Sequence, residues 1–203
     1  MKIAIIGTGN VGGALATKWS EAGHEIYLGV QDKTKFKGKE LLNNTNTTAM
    51  SIKGATEKSD VILIATPPEA IFDILEQVGE LDGKVVIDAT NSIRQSPKPY
   101  PTVYHCVADK TKADVVKCFN TTGFENMKNP VYGELLLDMF MAGDSCKAKE
   151  IATELSSDCG FSKCWDFGTS TQVELLEKLA LSWINLAIMQ GHGRNIGLKI
   201  MQR

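Results

Sequence analysis

Apolar residues follow two rhythms along this chain, short unbroken runs and longer stretches where they recur every three or four positions, and the two alternate. Lys2–Ile6 is a short β-branched run that predicts a strand. Asn10–Ala22 places Val11, Ala14, Leu15 and Trp19 at helical spacing, and Gly23 follows as a C-terminal cap. Glu25–Leu28 predicts a second strand, Lys33–Lys39 a lysine-rich loop, Thr45–Thr48 a turn and Ser51–Lys53 a short third strand. Asp60 leads into Val61–Ala65, an apolar run suited to a parallel strand buried on both faces. Thr66-Pro67-Pro68-Glu69 stops that strand and starts a helix through Val78, with proline tolerated in the first turn.

Lys84–Asp88 predicts another strand, and Asn91–Pro101, with three prolines, a loop. Further strands are expected at Val115–Phe119, Leu135–Ala142 and Lys163–Phe167. Ser145–Cys159 is helical, ended by Gly160, and Gln172–Gln190 is a long amphipathic helix carrying Val173, Leu176, Leu179, Ala180 and Trp183. This alternation predicts an α/β fold, a mostly parallel sheet with helices on both faces. One domain is expected over 1–203, with 170–203 as a helical C-terminal extension.

Gly7-Thr8-Gly9-Asn10-Val11-Gly12 matches G-x-G-x-x-G, and its context is specific: it follows a short apolar strand and opens a helix. Gly7 allows the tight turn, Gly9 lets the backbone approach a pyrophosphate, and Gly12 permits close helix–strand packing. Unpaired N–H groups at the helix start then face the phosphates. A dinucleotide-binding, Rossmann-type fold follows. At its adenosine end no acid closes the second strand, where Val30 and Gln31 stand, and Asp32 is expected to lie too far into the loop. Lys33, Lys35, Lys37 and Lys39 are near enough to favour NADP over NAD, although they also suit a solvated loop. Two later strand ends should reach the same crevice: Ala65-Thr66-Pro67, with Ile71 available to cover a ring, and Asp88-Ala89-Thr90-Asn91, near the nicotinamide ribose. Turn and capping duty competes for Thr66, Thr90 and Asn91.

A net charge of -2 gives no global attraction to nucleic acid or anionic membrane, and no apolar run is long enough for a membrane span. Five cysteines, an odd number without metal-type spacing, suggest reduced thiols and a cytoplasmic protein, with a redox pair Cys159–Cys164 as the competing reading. The three histidines (His24 in a turn, His105 in or near a loop, His192 between glycines) form no catalytic or metal-binding arrangement. No residue is assigned as acid, base or metal ligand. Hydride transfer between two redox cofactors needs orientation more than acid–base help, so this pattern suits a flavin or deazaflavin acceptor.

The chain resembles the NADP-dependent oxidoreductases that reduce the deazaflavin coenzyme F420, and the related cytosolic reductase domain of STEAP ferric reductases. The matching segments are Gly7–Gly12, Asp60–Ala65, Ile87–Asn91, Val116–Thr121, Ala142-Gly143-Asp144 and Gly193–Gly197, in the same order over almost the whole chain. The resemblance implies NADP(H) along the strand ends, an acceptor pocket bordered by Phe119, Asn120 and Thr121, a C-terminal helical portion and usually a homodimer. Val30-Gln31 departs from the Ser-Arg or Arg-Asn common in that family. Two alternatives accompany this reading: a non-catalytic NAD(P)-binding redox sensor or partner subunit, and a dehydrogenase of small metabolites, which would need a positioned base.

Overall fold

The computed structural model describes residues 1–203. Its order of elements is β1 (Lys2–Ile6), α1 (Asn10–Glu21), β2 (Glu25–Val30), β3 (Thr47–Ser51), α2 (Ile52–Lys58), β4 (Val61–Ile64), α3 (Ile71–Leu75), β5 (Val85–Asp88), α4 (Val103–Lys110), β6 (Asp114–Cys118), α5 (Phe124–Lys128), β7 (Val131–Tyr132), β8 (Leu135–Leu136), β9 (Met139–Ala142), α6 (Cys146–Asp158), β10 (Cys164–Asp166) and α7 (Val173–Ile184). Eight strands form one sheet in the order β3-β2-β1-β4-β5-β6-β9-β10. The first six are parallel, β9 joins β6 antiparallel, and β10 runs parallel to β9. That is the doubly wound order, with its reversal between β1 and β4.

Strand periodicity sorts the core into two layers. Ile3 and Ile5 pack with Trp19 of α1 and Leu155 of α6 on one face, while Ala4 and Ile6 pack with Ile52, Ile74, Val103 and Leu176 on the other. Helices cover both faces, so every residue of β4 is buried, as expected for a parallel strand of this kind.

The differences from the sequence reading have local causes. Thr45–Thr48 is not simply a turn: Thr47–Ser51 is an edge strand, pairing from Ile26↔Thr47 to Val30↔Ser51. An edge strand with one open side tolerates polar residues, which hides it from a hydrophobicity reading. The third strand therefore ends where it was expected to begin. Ser51 caps a helix instead, its hydroxyl accepting from the Gly54 N–H, and Ile52 and Lys53 are helical. Leu135–Ala142 is broken at Leu137-Asp138, where buried Asp138 accepts from Trp165 Nε1 at 2.9 Å and the Ile200 N–H at 2.8 Å. His105 lies on α4 rather than in a loop. The extension over 170–203 is helical only in part: α7 passes into a π-helical turn, Asn185–Met189, and the remaining tail is irregular. That tail is tied back, with Trp183 Nε1 and Asn126 Nδ2 both donating to the Ile196 carbonyl.

The closest backbone approach is at Gly12, where an added Cβ would lie 1.9 Å from the Gly7 carbonyl oxygen, whereas one at Gly9 would meet nothing within 4 Å. Gly12→Ala is expected to lose about 3 kcal/mol of unfolding free energy, while Gly9→Ala changes it by less than about 0.5 kcal/mol; urea titrations of both variants check this contrast.

Candidate dinucleotide and acceptor site

The turn from β1 to α1 is built from glycines with different duties. Gly7 has φ +103°, and a Cβ there would sit 2.5 Å from the Ala65 carbonyl oxygen, so it serves both turn and packing. Gly9 precedes α1 in extended conformation, and no side chain caps the helix or places an acid in its first turn. The backbone at Gly9 therefore opens onto free space beside uncapped N–H groups.

Two clefts follow the carboxyl ends of the strands. The first, about 360 Å³, is lined by Gly7, Thr8, Val30, Gln31, Lys35, Thr66 and Pro67, which brings together seven of the residues expected to hold a dinucleotide. Gly9 and Asn10 line a smaller opening of about 210 Å³ on the neighbouring side of the fingerprint, where the lysine loop is strapped to it by a hydrogen bond from the Thr8 hydroxyl to the Lys37 carbonyl. Val11 and Ala65 are half-buried against the core, and Gly12 is buried beneath the turn. Ile71 does not line the cleft. It is fully buried against the other helices of its face, because α3 begins only after a 3-10 turn at Pro68–Ala70; Ala70, Asp73 and Ile74 line the cleft instead.

Asp32, expected to lie outside, lines the first cleft together with Lys35. Its carboxylate accepts from the Thr34 N–H at 2.8 Å and the Thr34 hydroxyl at 2.6 Å. The hydroxyl and N–H of Thr34 hold its pKa below the usual carboxylate range. The first cleft thus presents both an acid and a cation, the one chemically suited to hydroxyl groups and the other to a phosphate.

The second cleft, about 510 Å³, shares Pro67 with the first and is lined by Asn91, Ile93, Leu181, Ile184 and Met189 among others. Asn91 is fixed by a reciprocal amide pair: its Nδ2 donates to the Asn120 carbonyl at 2.9 Å, and Asn120 Nδ2 donates to its Oδ1 at 3.0 Å. Phe119 and Thr121 are placed differently from a simple pocket wall. Phe119 is fully buried, edge-on to Trp19 at 5.5 Å, and Thr121 is buried with its hydroxyl towards Met139 Sδ. Phe119 also has φ +60°, so the chain leaves β6 in a left-handed conformation that turns Asn120 towards Asn91. Four buried polar atoms near these strand ends lack a partner: Thr66 Oγ1, Thr90 Oγ1, Ser92 Oγ and Asn120 Oδ1. Together with the open space at Gly9, they fit a polar ligand such as a dinucleotide.

Beneath the second cleft lies a buried cluster that the sequence reading did not pick out. Lys117 Nζ on β6 is 3.0 Å from Asp88 Oδ2 on β5 and 2.5 Å from Glu177 Oε1 on α7. Burial pushes the Glu177 carboxyl up, and Lys117 opposes that shift. The available signal was a lysine inside the run Val115-Val116-Lys117-Cys118 of a central strand, which demands paired carboxylates. Cys159 and Cys164 are free thiols, the former pushed up to about 12 by burial, and Cys164 Sγ lies 3.9 Å from Cys118 Sγ. His24 Nε2 is 2.8 Å from Asp158 Oδ2, tying β2's start to α6.

Residues 2–92 match the model of the family described as NADP oxidoreductase, coenzyme F420-dependent. This part of the chain is similar to that family. Over its whole length the chain is similar to the F420-dependent NADP reductase of Methanothermobacter marburgensis, with 28% identity and 98% of each chain covered. It is likewise similar to the reductase of that name from Methanothermobacter thermautotrophicus, at 28% identity and covering 98% of this chain and 94% of the other. A crystal structure from Arthrobacter sp. FB24, named as a candidate F420-dependent NADP reductase, matches at 26% identity with a TM-score of 0.85 and full coverage of both chains. A reductive aminase from Aspergillus terreus, at 17% identity and a TM-score of 0.71, shares the fold over 94% of this chain and 62% of its own.

Because nothing fills the space at Gly9, a side chain there should block a ligand without disturbing the fold. Gly9→Val is expected to keep the wild-type melting temperature and lose dinucleotide binding in a fluorescence titration; unchanged affinity would remove the fingerprint from the site.

Proposed function

We propose that the chain is an NADP(H)-dependent oxidoreductase whose second substrate is a deazaflavin-type acceptor. The observation that carries this reading is the pair of clefts along the carboxyl edge, joined at Pro67 and running from Gly7 and Thr8 past Thr66 to Asn91. Its whole-length likeness to proteins named F420-dependent NADP reductase supplies the chemical class.

In this reading the backbone of Gly7–Gly12 holds the diphosphate, and Val30, Gln31 and Lys35 flank the adenosine end. Ala65, Thr66 and Pro67 support the middle of the cofactor. Asn91 holds the nicotinamide ribose. Asn120 borders the acceptor, while Phe119 and Thr121 act from the core by fixing the backbone that presents it. The nicotinamide supplies or accepts the hydride. The residues facing the second cleft are mostly apolar or amide side chains, with Glu69 and Arg94 its charged members, and in this reading their task is to hold two rings in register.

A second copy of the chain completes the proposed particle. Leu186, Ile188 and Met189 are exposed on α7's π-helical continuation, next to the acceptor cleft, and their mutual burial is the usual fate of such a patch. The reading places the protein in the cytoplasm, free of nucleic acid and membrane; no helix is long and apolar enough to cross a bilayer. Light scattering is expected to return twice the 22.1 kDa chain mass, and a monomeric value would remove the dimer.

The decisive assay is anaerobic oxidation of NADPH with flavin and deazaflavin offered in turn. Turnover is expected with the deazaflavin, and NADPH should bind more tightly than NADH. Lys35→Ala should narrow that difference roughly tenfold, the scale of one charge-assisted hydrogen bond. Tight NADPH binding without turnover on any acceptor would point instead to a redox sensor.

A further inference from the structure

The cluster of Lys117, Asp88 and Glu177 has formal charges that do not cancel. Lys117 and Asp88 are fully buried and Glu177 nearly so, one ammonium against two carboxylates. The two carboxylate oxygens not used by Lys117 both hold the loop after β5: Asp88 Oδ1 accepts from the Thr90 N–H at 2.9 Å, and Glu177 Oε2 from the Ser92 N–H at 2.8 Å. Between those anchors sits Asn91, which lines the second cleft and is cross-bonded to Asn120. A lone Lys117–Asp88 pair would already neutralise the lysine. Glu177, when ionised, adds a negative charge to the interior, which is costly unless something nearby gains from it.

We propose that Glu177 is a positioning residue that brings this excess negative charge beneath the nicotinamide end of the site, and so favours the oxidised, positively charged ring over the reduced, neutral one. Ser92 and the Asn91–Asn120 pair link the carboxylates to the cleft wall and hold that wall in place. Charge stabilisation of this kind, preset by the fold, costs no reorganisation when the ring changes state. A donor that becomes cationic on losing hydride is helped, and the reverse transfer is hindered. The inference rests on the dinucleotide reading above.

The test compares dissociation constants of NADP⁺ and NADPH, measured by calorimetry without any acceptor on the full chain. Glu177→Gln is expected to weaken NADP⁺ roughly tenfold relative to NADPH, the scale of one charge acting across a protein interior. Glu177→Asp, which keeps the charge, should change the ratio much less. A purely structural role would weaken both forms alike and leave the ratio where it was. The wild type offers a measurement that does not depend on any variant folding. The groups facing Glu177 are Lys117 from β6, Asp88 from β5 and the Ser92 N–H, Glu69 and Arg94 are the charged side chains lining the second cleft itself, and the 2′-phosphate is common to both cofactor forms, so its titration cancels from their ratio. As pH falls and the Glu177 carboxylate takes up its proton, the preference for NADP⁺ should decline. A ratio unchanged in folded Glu177→Gln and flat across pH overturns the inference. Failure of the wild type to bind either form overturns the dinucleotide reading, and the inference with it.

Discussion

An ammonium group buried where the sheet passes from parallel to antiparallel pairing constrains everything packed around it. Lys117 cannot reach water, and its charge is tolerable only because Asp88 and Glu177 lie within hydrogen-bonding distance. Those partners come from the adjacent strand and from a helix formed late in the chain, so β5, β6 and α7 must all be in register before the lysine is satisfied. Removing one partner of such a buried group typically costs about 3–5 kcal/mol. The same bonds extend to the backbone of Thr90 and Ser92. The docking of α7 and the shape of the loop after β5 are thereby one event, and the second cleft has walls from both.

The other end of the site rests on a steric constraint rather than a charge. Gly7 and Gly12 are needed because backbone atoms already occupy the space a Cβ would take, and Gly9 is free of that demand. Two of the three fingerprint glycines are thus explained by the fold alone, while the third acquires a reason only when a ligand lies on it. The distinction separates what makes the turn from what makes it useful. The crevice sits where strand order reverses between β1 and β4, because helices leave to opposite faces there and neither covers the gap.

Much of this was legible in the residues. Strands buried on both faces announce themselves as apolar runs, as in Val61–Ile64, and the glycine fingerprint located the first cleft. Thr47–Ser51 was hidden because an edge strand owes its stability to backbone pairing with β2, not to apolar side chains. Ile71 was misplaced because a helix start one turn later rotates the side chain from cleft to core, and sequence alone fixes boundaries poorly. Asp32 escaped because loop geometry after a strand depends on its own hydrogen bonds, here to Thr34. The Lys117 cluster joins residues 29 and 60 positions apart, which no periodicity connects.

The wall of the second cleft shows how a site can be made exacting by rigidity. A ring-to-ring hydride transfer gains most from fixed distance and orientation. The amide pair of Asn91 and Asn120 is locked in both directions, and the left-handed Phe119 that aims it is anchored by its ring against Trp19, which itself donates to the Leu155 carbonyl on α6. A non-glycine residue in that conformation carries strain, and strain persists only where surrounding contacts over-determine it. Here the contacts come from the core, not from the cleft. Rigidity at the cleft wall is therefore imported from the hydrophobic interior through Phe119, leaving the exposed surface of the cleft free to fit the ligands it meets.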